Sequence, residues 1–526
     1  MKKKLFVFLI PIVLITISLL PRKENKELVS NTDNLVSFTV DGVESKTMPT
    51  KGSGYIANKI TCKNGSIITF DNDNYIIEVE KLESADACKI DFSKEKGSNT
   101  VTVTISDTSK IDSTSKTTTE GGKVVFYLTG EPESITGGEY TLSSNKLIVN
   151  NVISNINLNI TMSKTLYDQL LIDNSRIKTR TDFDTTFTET NTGTLYKANE
   201  SIVGNTPKDV YYFAGDAKNN WVKFGKYADD EIRGYINQYG TKFKKYTTLE
   251  ECNSASSYNT NCSYAWRKGD PMYWRIIRTN HDGSIRLLYH GTSTTATDAY
   301  IGQSVINAEN NDPMYVGYKY GTTGSLENNR LNTNDSTIKT YVDNWYKNNL
   351  TAYTKYLSND AVYCNDRNLA SGQTYSTTNR FTYAPYGRLY TNNTPTYNCT
   401  NNKDAFSGNN SEAKLTYPIG LMTADEVVFA GGVYGSNAKT WYYYNSANGN
   451  SAGSTWELMS PYFWEDSLAC MFGVMGSTFP GFLSNGRVGL PSNVRPALSL
   501  KACIKYSTGN GTPETPYEIV ETDTGC

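Results

Sequence analysis

The chain holds 526 residues, with 51 Lys+Arg against 53 Asp+Glu and a formal net charge of −2. That length accommodates several cores, since one domain usually takes roughly 100–200 residues. A phosphate-gripping protein carries a basic excess or stripe, and none exists here, so composition argues against nucleic acid as a partner.

Lys2, Lys3 and Lys4 open the chain and an apolar run from Leu5 to Leu20 follows. The run is short for a spanning helix of about 20 residues and suits a secretory core of roughly 7–15. Residues 1–27 are therefore read as a signal peptide or an uncleaved signal anchor. No small-x-small site or lipobox cysteine chooses between them. Either way the rest is exported, secreted or displayed at the cell surface, touching a membrane only through this segment if it stays attached. Nine cysteines in an exported chain read as disulfides. Local spacing suggests Cys62–Cys88, Cys252–Cys262, Cys364–Cys399 and Cys503–Cys526, with Cys470 left as a buried thiol, although spacing alone does not fix connectivity.

Residues 33–95 read as a small disulfide-stapled β domain. Ser66–Phe70 and Tyr75–Val79 alternate as strands around the turn cluster Asp71-Asn72-Asp73-Asn74. The cluster lacks the glycine and distal glutamate of a calcium loop, and a polar turn is expected. Residues 96–163 hold four period-two strands, at 101–105, 124–128, 147–152 and 156–162, which predict a sandwich of immunoglobulin-like type. Residues 164–208, with a brief helical pattern at Thr165–Leu171 and then a Thr- and Asn-rich stretch, read as a connector. The largest unit follows, 209–526. Thr248-Leu249-Glu250-Glu251 and Thr423-Ala424-Asp425-Glu426 are capping boxes, the second closed by Gly431-Gly432. A longer helix after Asp335-Ser336 carries Ile338, Val342, Trp345, Tyr346, Leu350, Tyr353 and Leu357 on one face. Trp274–Arg278 and Ile285–Leu288 form a hairpin through His281-Asp282-Gly283-Ser284. The expected fold class is mainly β with a few helices: N-terminal β-sandwich modules before an α+β C-terminal domain. The 38 tyrosines suit half-buried sheets and recognition surfaces alike.

Several ordered segments carry a resemblance: Tyr212–Val222, Tyr273–Arg278, Val342–Tyr346, Cys364-Asn365-Asp366-Arg367, Tyr417–Glu426, Trp456-Glu457-Leu458-Met459-Ser460-Pro461 and Val494–Leu500. Together they resemble a domain common in exported Firmicutes surface proteins, over roughly residues 209–526. The Trp…Ser-Pro block and the Val-Arg-Pro strand are also similar to the C-type-lectin-like fold, which implies a small twisted sheet, two helices and a loop-rich insert. Neither resemblance brings an activity with it.

The chemistry-bearing residues are sparse. His281 lies in a hairpin turn and His290 ends the following strand, and the cysteines look committed to disulfides, which leaves a Cys–His nucleophile without support. No C-x-x-C or H-x-x-x-H spacing proposes zinc, no Glu-Pro-Asn or Gln-Pro-Asp loop proposes calcium-bound sugar, and no cofactor is expected. Asp425 and Glu426 are explained by capping, while Glu465-Asp466 beside Trp464 is the more interesting acid pair for a glycosidase-like cleft. The candidate binding residues are the aromatic-rich set Trp441, Tyr442, Tyr443, Trp464, Phe479 and Phe482 with Asn485 and Arg487, since aromatic plates with Asn and Arg stack on sugar rings or anchor a protein partner. In the variable proteins of diversity-generating retroelements, which share the C-type-lectin-like fold, residues between the Trp-Ser block and the final Val-Arg-Pro strand form the ligand face. The leading expectation is a surface-displayed binding or adhesion module for a glycan or a surface protein. A structural envelope or assembly protein and a carboxylate-dependent hydrolase are the alternatives.

Overall fold

The computed structural model describes residues 36–526 apart from 84–85, 95–96, 130–131, 163, 237–241, 256–258, 297–298, 439–454, 477–478 and 480. The N-terminal segment 1–27 and the candidates Trp441, Tyr442 and Tyr443 lie outside the described residues. The chain is mainly β and divides into two compact units, the first ending at Met162 and the second running Ser163–Cys526.

The first unit holds two β modules. In the N-terminal one, Val36–Val40 pairs in parallel with Cys88–Lys94, and Tyr55–Cys62 pairs with the same strand from the other side. Ile90 and Phe92 are buried there, and Phe70 and Phe38 pack their rings onto Phe92. So few apolar side chains make a marginal core, and the Cys62–Cys88 bridge joins residues directly opposite in register. The Asp71 carboxylate accepts hydrogen bonds from the backbone of Asp73 and Asn74 and from the Asn74 amide, which makes a polar turn. In the next module a four-stranded sheet (Pro132–Thr136, Ile156–Met162, Ser98–Ile105, Ser115–Thr119) faces a three-stranded one (Thr141–Ser143, Lys146–Val152, Gly122–Tyr127). Alternate residues Val101, Val103, Val124, Phe126, Leu147, Val149, Leu158 and Ile160 fill the space between. This is a two-sheet sandwich.

In the second unit the stretch expected to be a connector is part of the domain. Helix Leu166–Asp173 is closed by a capping box from Thr165 and Asp168 and buries Leu166 and Leu170. Strand Thr194–Glu200 pairs with Lys208–Tyr212 and enters the main ten-stranded sheet. The polar Thr/Asn composition hid this, because its inward residues Leu195 and Tyr196 are few. Pro271–Thr279 is the sheet's central strand, flanked by Trp221–Lys226 and Ile285–Gly291, and Pro496–Leu500 follows beyond. The chain end returns as Tyr517–Ile519, parallel to Trp221–Lys226, and Cys503–Cys526 ties it down.

A second sheet of six strands is ordered Gly302–Ser304, Ser492–Val494, Trp456–Glu465, Leu468–Val474, Leu483–Arg487, with Phe381–Thr382 paired to Trp456–Glu465. Val494-Arg495-Pro496 carries the chain from this sheet into the first, and the Arg495 guanidinium lies 4.8 Å from the Trp456 ring centre. Both are buried, so these two motif residues hold the fold. One continuous core spans both sheets.

Helix Thr337–Asn349 starts on the Ser336 cap and buries Ile338, Val342, Trp345 and Tyr346. It ends sooner than its apolar pattern: Thr351–Tyr356 is a 3₁₀ turn, and Leu357 is buried from extended backbone. The segment Cys364-Asn365-Asp366-Arg367 stitches the long insert together. Asn365 accepts from the Tyr318 backbone and donates to the carbonyls of Val316 and Met459. Arg367 donates to the carbonyls of Lys319, Asn329 and Lys403. A loop-rich insert is held by polar ties because it has little sheet of its own.

Candidate ligand-binding face

Strands Trp456–Glu465 and Leu468–Val474 meet in a two-residue turn, Asp466-Ser467, whose φ values of 45° and 64° give the twist a tight hairpin needs. Their register slips between Pro461 and Phe463. A bulge of this kind places consecutive residues on one side of the sheet. Tyr462 and Phe463 therefore share the side of Phe472, which Tyr462 meets edge-on at 4.8 Å.

Tyr434 is the centre of what lies above. Its backbone bridges to Leu483 and its ring stacks on Tyr462 at 5.6 Å with the planes 10° apart. Its hydroxyl accepts from the Tyr462 hydroxyl at 2.8 Å and from the Asn485 amide at 3.0 Å. Burial, then the bond to Tyr434, pushes the Tyr462 hydroxyl well above its ordinary value, so it stays a donor. In both of these bonds Tyr434 is the acceptor, so neither uses its own O–H proton, and the Asn485 amide brings a carbonyl oxygen beside it. Further rings extend from this centre. Tyr390 meets Tyr434 edge-on at 4.8 Å and touches Tyr386 at 4.8 Å. Phe482 lies 6.5 Å from Tyr434, and Phe479 lies 5.5 Å from Phe482. Tyr390 is 49% exposed and Phe479 45%, while Tyr386, Tyr434, Phe463, Phe482 and Asn485 are half-buried. Tyr386 and Tyr390 are spaced i, i+4 across a helical turn that opens on Pro385 and widens to a π turn over Gly387–Thr391. Arg487 is exposed at the end of strand Leu483–Arg487, and the Arg380 guanidinium lies 5.3 Å from the Phe463 ring centre.

Of the expected ligand residues, Phe479, Phe482, Asn485 and Arg487 are thus on or beside this face. Trp464 is not. It is 1% exposed and paired with Ala469 and Phe381, because the bulge before it reverses the side it faces. Tyr386, Tyr390, Tyr434, Tyr462 and Phe463 were not foreseen. The Tyr386/Tyr390 spacing after Pro385 was a usable signal, whereas Tyr434 reaches the face only through tertiary contact.

The acids tell a different story. Glu465 lies 3.6 Å from Arg380, and Asp466 forms the turn. Asp425 and Asp366 both bind Arg388, at 2.7 and 2.5 Å. Glu426 and Glu200 bind Arg278, each at 2.9 Å, and Glu426 also binds Arg286 at 2.8 Å. The cavity lined by Glu200, Asp366, Asp425, Arg278, Arg286 and Arg388 leaves about 20 Å³, room for one water. Arginines thus consume the acids that converge here.

The four disulfides are Cys62–Cys88, Cys252–Cys262, Cys364–Cys399 and Cys503–Cys526, the pairs local spacing suggests, and Cys470 is a buried thiol. Burial pushes the Cys470 thiol up to about 11, so it is protonated at neutral pH. His281 is nearly buried, with Nδ1 3.3 Å from Glu200. His290 is fully buried edge-on to Trp221 at 4.3 Å. Burial, then Arg275 and Arg495, hold it far below its ordinary value and keep it neutral. Among the described residues no helix is long and apolar enough to cross a membrane. No protein-family model matches the chain, no curated protein matches its sequence, and no solved structure matches its fold.

Proposed function

We propose that this chain is an extracellular binding protein for carbohydrate and that the sugar docks on the face around Tyr434. The observation that carries the reading is a run of touching rings, half-exposed at Tyr390 and Phe479, with an oriented hydroxyl at Tyr434 and an amide at Asn485 within it. A pyranose has an apolar C–H face and a rim of hydroxyls, so aromatic plates plus one fixed donor and one fixed acceptor match it. Four disulfides support an oxidising setting outside the cell. The resemblance of residues 456–461 and 494–500 to the C-type-lectin-like fold supports the same face, since in the retroelement-variable proteins that share this fold the ligand face lies between those motifs.

The test is a glycan panel probed with residues 28–526 beside Tyr390→Ala and Phe479→Ala. A ring contact of about 1–1.5 kcal/mol corresponds to roughly tenfold in affinity. Each variant is expected to bind the selected sugar about tenfold more weakly. A blank panel, or affinities equal to the parent chain, overturns the proposal.

A further inference from the structure

On the side of the second sheet away from the rings, Glu457 is 2% exposed, on strand Trp456–Glu465. It pairs across to Gly473 on Leu468–Val474, and its carboxyl extends to Gly486 on Leu483–Arg487. A Cβ at Gly473 would stand 3.6 Å from Oε2, and one at Gly486 would stand 3.4 Å from Oε1. The carboxyl thus lies against two glycines set diagonally on neighbouring strands. Ser492 Oγ donates to Oε1 at 2.7 Å, and buried Oε2 has no hydrogen-bond partner among the described residues.

Among the described residues the surroundings carry no countercharge. Ser492–Val494 brings the serine and no ionisable group. Leu468–Val474 brings Cys470, whose thiol is raised in part by Glu457. Leu483–Arg487 brings Arg487, which pairs with Cys470 and is exposed. Burial first pushes the carboxyl up from 4.5 to about 7, against the Ser492 bond that favours the ionised form. A bare carboxylate in such a place is costly, so the closed sheet retains the proton and an opened sheet releases it. The element placed to give way is Leu483–Arg487, the last strand of this sheet's order. It supplies Asn485 to Tyr434 and Leu483 to the Tyr434 bridge.

We propose that Glu457 is a proton-operated latch: neutral, it lets strand Leu483–Arg487 close and complete the ring face, and ionised, it loosens that strand. The effect on ligand rests on the carbohydrate-face reading; the effect on the strand does not. The sign follows from linkage. Stability is full below about 4.5, where closed and open forms are both protonated. It falls as pH rises toward about 7, where the closed form also ionises, and is level above. Opening becomes about tenfold more populated per pH unit in that window.

Hydrogen exchange of the Leu483–Arg487 amides, corrected for intrinsic rates, reads this directly in the parent chain and in Glu457→Gln from pH 5 to pH 8. The expected result is a loss of protection of roughly fortyfold between pH 5 and pH 7 in the parent and a flat profile in Glu457→Gln. Ser492→Ala serves if that variant does not fold. It removes the bond favouring the ionised form, and its profile is expected to level off at higher pH than the parent's. A flat parent profile, or one unchanged in both variants, overturns the latch whatever the ligand data say. If exchange switches while the selected glycan binds equally at pH 5 and pH 7, the latch stands and the carbohydrate-face reading falls.

Discussion

Replacing Asp404 by Asn changes one oxygen for nitrogen and removes one charge from the place where the insert is tied. Asp404 is fully buried between Arg367 and Arg330, themselves 1% and 3% exposed. Its Oδ1 accepts from Arg367 Nε at 2.6 Å. Its Oδ2 accepts from the Arg367 backbone at 2.9 Å and from Arg330 Nε and Nη2 at 3.1 and 2.8 Å. Burial alone raises this carboxyl, but the two arginines outweigh it and hold it below its ordinary range. The amide keeps the shape and opens no cavity, so the cost is the charge lost beside two buried guanidiniums together with an NH2 that cannot accept the N–H bonds one carboxylate oxygen takes. Breaking a buried pair from one side costs about 3–5 kcal/mol, a large part of the ~5–15 kcal/mol that stabilises a domain. All seven tryptophans lie in the second unit, so tryptophan fluorescence during urea unfolding reads that unit alone. The comparison is Glu518→Gln, which breaks the exposed 2.6 Å pair with Lys223 and is expected to cost less than about 1 kcal/mol. If the two substitutions cost the same, the countercharge reasoning is wrong.

Four further outcomes follow from the geometry. Burial raises the Glu200 carboxyl, but Arg278 and then His281 bring it down from 4.5 to about 2, so it stabilises the folded unit above about 4.5. That contribution, about 3 kcal/mol, disappears as pH falls toward 2, and Glu200→Gln is expected to flatten the acid limb of a stability–pH profile. Replacing Cys364 and Cys399 together by Ser frees a loop of separation 35 and is expected to cost about 4 kcal/mol in urea unfolding. A Cβ at Gly420 meets the Tyr363 ring at 2.6 Å, and that ring lies 4.3 Å from the Arg286 guanidinium. Gly420→Ala is expected to lower stability by about 1–3 kcal/mol. Cys470 is expected to resist a maleimide in the folded chain and to react on unfolding, as read by intact mass, because it is buried and protonated.

Local chemistry is where sequence was most legible. Thr248 caps Leu249–Ser254 and Thr423 caps Ala424–Ala430, each accepting from the amide three residues on, and Gly431 ends the second helix at φ 119°. The hairpin turn at 280–284 closes with Asn280 and Ser284 bonded, and the alternating strands of 98–162 bury the residues their period places inward. These features depend on a few consecutive residues and on backbone geometry. Disulfide pairs of short separation belong with them.

What depended on tertiary structure was anything decided by register or by remote partners. One bulge sent Trp464 into the core and brought Phe463 to the face. The stretch 164–208 looked like a connector because polar residues fill its outer side, and only pairing with Lys208–Tyr212 makes Thr194–Glu200 a sheet strand. Only the fold shows that Asp366, Asp425, Glu200 and Glu426 are met by Arg278, Arg286 and Arg388, partners remote from most of them in sequence. The Tyr434 array joins residues from 386 to 485. Composition and periodicity report which side chains a segment must bury. Which side chains meet across a sheet is set by pairing register, and a one-residue shift reverses it.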